Sequence, residues 1–396
     1  MSYQLILICI AALIGIGILL HHPSRTFGIP SLLIFMGVGL LFGNGEFDFV
    51  YDNFALTSIV GSIALNIIVF VGGLNTSKRS VRVAYREGSV LSTLGVLLTT
   101  LFFSLILWWL LDFSFVFCLL FAAIVSSTDA AAVFSILQSK KLKLKEKTDT
   151  VLEFESATND PIALILVVLL TEMALTPDTA VSVSNVSLEL VTQIFSALFI
   201  AFCVGRLCIW LLNHIKLEEY GLIPVFVLVS FVLATYGSEL AGGNILLASY
   251  VVGVIIGNGL NRGREISKHF FNSLSWLAQA LMFIALGLQI FPHQLFEVLY
   301  QSILPALLLI LIARPLAVQI CYLFFPKTTW RKRFFISSIG LKGATPIVFA
   351  LIPAAAGVES SLIIVDMVFF IVLISVFLQG AAIEPLAKKL QLNVEK

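Results

Sequence analysis

Long apolar runs separated by short polar ones order this chain from end to end. Thirteen such runs occur, at 3–20, 28–43, 55–74, 88–111, 114–138, 148–173, 188–212, 219–238, 242–258, 270–290, 297–324, 334–356 and 360–384. At about 17 to 25 residues each, they are long enough to cross a hydrocarbon core of roughly 30 Å as helices. The first run lacks a charged leader and a small-residue cleavage site, so it reads as a retained helix rather than a signal peptide. The pattern predicts an all-α polytopic membrane protein of about thirteen spans.

Composition agrees with this. Of the 396 residues, 59% are hydrophobic and 12% charged, with a mean hydropathy of +1.04, where soluble domains carry roughly 25% charged residues. The net charge of +1 points to no acidic partner such as nucleic acid. The five cysteines, Cys9, Cys118, Cys203, Cys208 and Cys321, lie inside apolar spans without metal-ligand spacing and read as packing residues.

Charge placement gives an orientation. Basic residues follow the odd-numbered spans: Arg25 after the first, Lys78, Arg79, Arg82 and Arg86 after the third, and five lysines from Lys140 to Lys147 after the fifth. Lys216, then Arg262, Arg264 and Lys268, then Lys327, Arg331, Lys332 and Arg333 continue the series, and Lys388, Lys389 and Lys396 end it. The even-numbered loops carry none. The positive-inside rule then predicts a cytoplasmic C-terminus and an external N-terminus.

The chain also repeats itself. LLIFMGVGLLFGNG (32–45) aligns without a gap with LLASYVVGVIIGNG (246–259), an offset of 214 positions, and IALNIIVFVGGL (63–74) meets LAQALMFIALGL (277–288) at the same offset. Span 2 therefore corresponds to span 9 and span 3 to span 10. Seven crossings separate each pair, so the copies face opposite ways, as in the inverted-topology repeats of secondary transporters. The repeats are expected over spans 1–6 and 8–13, which pairs span 5 with span 12 and span 6 with span 13.

Against that background the buried charges stand out. Asp129 follows Ser126, Ser127 and Thr128 in span 5, Glu155 and Asp160 lie in span 6, Arg314 in span 11 and Lys342 in span 12. Left facing lipid, each would cost roughly 2.5–3.5 kcal/mol on insertion scales, so they should face a shared interior. Three acids against two bases leave one negative charge over, which suits a small cation or a proton. Arg206, near the end of span 7, can snorkel instead.

Spacing singles out Asp160. It lies about 18 Å along span 6 at 1.5 Å per residue, near the bilayer centre. Ser156 shares its face at i,i+4, and Glu155 with Asn159 forms a neighbouring face. Pro161 supplies no N–H, which frees the Ala157 carbonyl. Gly343 and Pro346 are expected to break span 12 beside Lys342, a break tolerated only where backbone lines a cavity. Span 5 has no Gly or Pro at Asp129, so a matching break there rests on its Ser, Thr and Asp side chains competing for backbone hydrogen bonds. A purely structural ion pair is the alternative reading for Glu155 with Arg314, and Asp129 could be partly structural too. Asp366 is expected to be interfacial.

Four segments carry a family resemblance. STDAAAVFSIL (127–137), LEFESATNDPIA (152–163), ARPLAV (313–318) and GLKGATPI (340–347), in this order, resemble the NhaP-type cation:proton antiporters, nearest to their potassium/proton branch. The resemblance implies a thirteen-helix homodimer in a bacterial inner membrane, without a cofactor, that exchanges K+ or Na+ for H+ by alternating access. It implies a transmembrane domain over 1–386, with a core of spans 4–6 and 11–13, a dimerisation scaffold of spans 1–3 and 8–10, and span 7 linking them. A short tail, 387–396, would follow without the cytosolic regulatory domain that many potassium-branch relatives carry.

By motif, Asp160 would carry cation and proton in turn, with Ser156, Glu155, Asn159, Thr128 and Asp129 around the ion and Arg314 paired to Glu155. The alkali cation would sit at Asp160, Ser156 and Thr128, with Lys342 compensating charge. Asn159 beside Asp160 implies electroneutral one-for-one exchange, since relatives with Asp-Asp move net charge. One departure is Lys342, where the family usually shows Arg, which keeps the charge and loses a bidentate fork. A sodium/proton antiporter of the same fold is the alternative. An organic-solute symporter, a channel and an intramembrane aspartyl protease using Asp129 and Asp160 are the other rivals. The protease reading is opposed by the inverted repeat, the two core bases and the absence of a GxGD element.

Overall fold

The structure is a computed structural model that describes residues 3–27, 31–44, 53–111, 113–129, 133, 142–176, 183–215, 218–290, 292–359 and 361–393. Among them the secondary structure is helical, apart from one isolated bridge between Leu144 and Asn393. In chain order the helices are α1 (Tyr3–Phe27), α2 (Ser31–Phe42), α3 (Phe54–Asn75), α4 (Lys78–Leu110), α5 (Phe115–Ile124) and α6 (Thr148–Leu175). They continue with α7 (Val183–His214), α8 (Leu222–Leu240), α9 (Ile245–Gly259) and α10 (Arg264–Gln289). The rod α11 comprises Pro292–Leu308, a π-helical turn Leu309–Ala313 and Arg314–Cys321. Two half-helices, α12a (Trp330–Ser338) and α12b (Ala344–Ala355), precede α13 (Ser361–Lys389).

Every predicted span therefore has its helix. Eight helices among the described residues are long and apolar enough to cross a membrane, and α1, α2, α5, α9 and α12b contain shorter apolar stretches. Bulky apolar side chains on the outside of the bundle, among them Trp109, Phe195 and Leu240, are exposed, as expected where lipid rather than water is the neighbour.

The repeat seen in the sequence is a repeat in packing. A Cβ on Gly39 of α2 would meet the Ile284 carbonyl of α10, and one on Gly253 of α9 would meet the Phe70 carbonyl of α3. Gly43 likewise abuts Leu288, and Gly257 abuts Leu74. From the other side, Gly287 faces the Met36 carbonyl and Gly73 the Tyr250 carbonyl. All three pairs of contacts are related by the same offset. Small residues let helix backbones approach closely where lipid offers no hydrophobic drive for association. The α2–α10 and α9–α3 crossings are thus two copies of one contact.

At the end of the bundle that carries the basic loops, the chain beyond α13 folds back. Leu390 and Leu392 are buried, and the Leu392 carbonyl accepts from the Lys145 N–H at 2.7 Å. The described part of the expected short tail is docked beside the start of α6.

Candidate functional site

Two interruptions meet at the centre. Helix α5 stops at Ile124 although no Gly or Pro stands there, and residues 127–129 run in non-helical backbone. The Ser126 hydroxyl turns back to the Ala123 carbonyl at 2.7 Å, so side-chain competition ends this helix. Residues 339–343 separate α12a from α12b. Pro346 does not make that break. It lies in the first turn of α12b, where a missing N–H costs nothing. The described part of span 5 resumes helical bonding after the break, with the Val133 N–H donating to the Asp129 carbonyl at 3.2 Å; residues 130–132 and 134–138 lie outside the described residues.

The interrupted stretches satisfy each other. The Asp129 N–H donates to the Leu341 carbonyl at 2.8 Å. The Ala344 N–H, first in α12b, donates to the Asp129 carboxylate at 3.2 Å. Lys342 Nζ donates to the carbonyls of Ser126 and Ser127 at 3.1 and 2.8 Å. An acid thus meets the amino end of one half-helix and a base meets the carboxyl end of the other, which suits both helix dipoles. Lys342 thus meets two carbonyls with one ammonium group, a contact that makes no use of a planar fork. Helix α13 completes the junction. Ser375 Oγ accepts the Lys342 N–H at 2.9 Å and donates to Gln379 Oε1 at 2.6 Å, while Gln379 Nε2 donates to the Ser338 carbonyl at 2.9 Å.

Beside this junction runs α6, whose helix continues through Pro161. Its polar residues divide the work. Asn159 Nδ2 donates to Thr128 Oγ1 at 2.6 Å, and Thr128 Oγ1 lies 2.9 Å from Ser156 Oγ. Glu155 and Arg314 form a buried two-pronged pair, Nη2 donating to both carboxylate oxygens at 2.8 and 3.1 Å. Arg314 follows the π turn in α11, where Pro315 offers no N–H to a regular ladder. Gly340 makes room for this guanidinium, because a Cβ there would meet Arg314 Nε and Cδ.

Asp160 is buried, 3% exposed. The Thr345 hydroxyl, in the first turn of α12b, approaches one of its oxygens at 3.4 Å, a long hydrogen bond. Its second oxygen, Asn159 Oδ1 and Ser127 Oγ have no hydrogen-bond partner. Buried oxygens left over in this way call for a bound ion or an ordered water. Carboxylate, amide and hydroxyl oxygens together suit a hard cation.

All eight residues singled out in the sequence are buried around this centre: Thr128, Asp129, Glu155, Ser156, Asn159, Asp160, Arg314 and Lys342. Thr345 escaped notice as an individual residue, although it stands inside a quoted motif, and Ser127 was named only as a neighbour of Asp129; the Thr345 hydroxyl matters because the crossing turns it toward α6. Asp366, expected at the interface, is buried in α13, and Cys9 and Cys203 are exposed rather than packed.

A cleft of roughly 640 Å³ enters from the end of the bundle away from the basic loops. It lies between Leu164, Ile165 and Val168 of α6 and the opposing residues Glu189, Gln193 and Asn244. Leu164 is one helical turn beyond Asp160.

Comparison with known proteins places these features. Residues 8–389 match the family model described as sodium/hydrogen exchanger, transmembrane. The chain is 37% identical over 379 residues to the K(+)/H(+) antiporter NhaP2 of Shewanella sp. (strain ANA-3), covering 96% of this chain and 66% of that protein. It is 36% identical over 398 residues to the K(+)/H(+) antiporter NhaP of Alkalimonas amylolytica, covering 100% and 68%. It is 28% identical over 405 residues to the Na(+)/H(+) antiporter NhaG of Bacillus atrophaeus, covering 99% and 71%. The chain thus spans about two thirds of the length of these curated relatives. Its fold matches that of the sodium proton antiporter MjNhaP1 from Methanocaldococcus jannaschii with a TM-score of 0.85 at 20% identity, over 98% of this chain and 99% of that one. With its inverted repeat, its crossed half-helices and these matches, the chain belongs to the transmembrane sodium/hydrogen exchanger family.

Proposed function

We propose that this chain exchanges a monovalent alkali cation for a proton across a membrane, one for one, with potassium favoured over sodium. Asp160 carries either ion, and Ser156, Thr128 and Asn159 line the cation's place beside it. Glu155 and Arg314 are the ion pair that holds the site, and Asp129 and Lys342 hold the crossing. Exchange is obligatory because a bare carboxylate is costly to carry through the apolar barrier, whereas a protonated or cation-bound one is not. The core of α4–α6 and α11–α13 moves against a scaffold of α1–α3 and α8–α10, with α7 linking them, in a homodimer whose basic loops face the cytoplasm.

One observation carries the reading. Asp160 is a buried acid with an unsatisfied oxygen, whereas Glu155 is neutralised by Arg314 and Asp129 receives the amino end of α12b. The preference for potassium leans on the two relatives at 36–37% identity, both named as potassium/proton antiporters, against 28% for the sodium/proton one.

The test is dissipation of an imposed pH gradient in proteoliposomes, with potassium, sodium, lithium and rubidium compared side by side. Potassium is expected to give the largest response and Asp160→Asn none. Full cation-dependent proton movement in Asp160→Asn would sink the proposal.

A further inference from the structure

Asn244 stands where α6, α7 and α9 meet, and it is buried. Its backbone N–H donates to the Gln193 carbonyl of α7 at 3.0 Å. Its side-chain oxygen accepts the Leu247 N–H at 2.8 Å and so caps α9. Its side-chain nitrogen donates to the carbonyl of Pro161 at 3.2 Å. That third bond reaches the residue next to Asp160.

Capping alone does not require this residue type. Ser, Thr or Asp supply the oxygen that a helix amino end needs. What an amide adds is a donor, and here the donor is aimed at a carbonyl inside a helix that has its own ladder partner to draw on. The same side chain lines the cleft, together with Leu164, which is one helical turn beyond Asp160. The bond therefore exists in an arrangement in which the cleft is open, and α6 cannot slide past α9 without breaking it.

We propose that Asn244 is a latch that holds the Asp160 helix to α9 in the cleft-open arrangement and releases it when Asp160 is exposed toward the basic end. The proposal rests on the exchange reading above and concerns a positioning residue rather than an ion ligand.

The experiment uses a chain whose five native cysteines are replaced by alanine. One cysteine is introduced at Val168, which lines the cleft, or, in a second chain, at Glu153, two turns from Asp160 toward the basic end. The rates of reaction with a membrane-impermeant maleimide are compared. Their ratio follows the balance of the two arrangements whichever predominates. Asn244→Ala and Asn244→Asp are each expected to shift that ratio about three- to tenfold toward Glu153→Cys, the effect of one buried hydrogen bond. Asn244→Asp keeps the cap and loses the donor, so it separates the two roles. A ratio unchanged in both variants, or shifted in Asn244→Ala alone, would overturn the latch. Labelling needs no ion gradient, so a chain that fails to exchange cations and a chain without a latch give separate results.

Discussion

Gly343 and Asp129 touch where the two interrupted helices cross, so closely that a methyl group on Gly343 would collide with the Asp129 carboxylate. The collision would involve Cγ and Cβ of Asp129 as well as its carboxylate oxygen, so more than the tip of the side chain would have to move. Gly343→Ala is therefore expected to reduce exchange in proteoliposomes about fivefold or more, in line with an overpacking cost of about 1–3 kcal/mol at the site. Gly72→Ala, where nothing lies within 4 Å, should leave it unchanged.

Lys342 is tied to two carbonyls rather than to a carboxylate. Truncation to Ala would leave the Ser126 and Ser127 carbonyls without their charged donor. A loss of about 2 kcal/mol or more of stability is expected from the two buried acceptors left unpaired, at about 1–3 kcal/mol each. Thermal melting in detergent checks this, and Lys342→Ala should melt below the parent protein even in the presence of saturating potassium.

The Glu155–Arg314 pair invites a double-mutant cycle. Removing either partner strands a buried charge at a cost of about 3–5 kcal/mol, whereas replacing both with apolar groups can be close to neutral. Glu155→Leu and Arg314→Met should each lower expression and melting temperature sharply, and the double variant should recover much of both. Gly340→Ala should behave like a mild Arg314 variant, because its methyl group displaces the guanidinium.

Competition at Asp160 sets the sign of the pH dependence. Protons and cations contend for one carboxylate, so lowering pH should raise the apparent KM for the cation, by up to about tenfold per pH unit in the limit where protons prevail. The maximal rate at saturating cation should change much less. Initial rates measured over a matrix of pH and potassium concentrations decide this. An apparent KM that stays flat on the acid side would mean that the two ions do not share Asp160.

The duplicated glycine contact predicts duplicated sensitivity. Gly287→Leu in α10 and Gly73→Leu in α3 meet equivalent carbonyls, Met36 and Tyr250. Both should prevent accumulation of folded protein to a similar degree, as judged by size-exclusion chromatography. Gly72→Leu, one residue away on an open face, should accumulate normally.

The sequence by itself determined the number and order of the spans, because the apolar length needed to cross a bilayer is a local property. It also determined the inverted repeat, whose glycines recur at one offset, and it singled out Asp160 and the four other charges of the site, because a bilayer admits such groups only with a purpose. Only the tertiary structure decided who meets whom. Lys342 turned out to serve the carbonyls just beyond the end of α5, Asp129 the amino end of α12b, and Thr345 the Asp160 carboxylate. Even the break in span 5, which no Gly or Pro announces, became definite only with its partner stretch beside it, the Asp129 N–H finding the Leu341 carbonyl. The physical reason is one of range. Hydropathy and helical period act over a few residues, whereas a hydrogen bond acts over about 3 Å between groups that can be 200 residues apart in the chain.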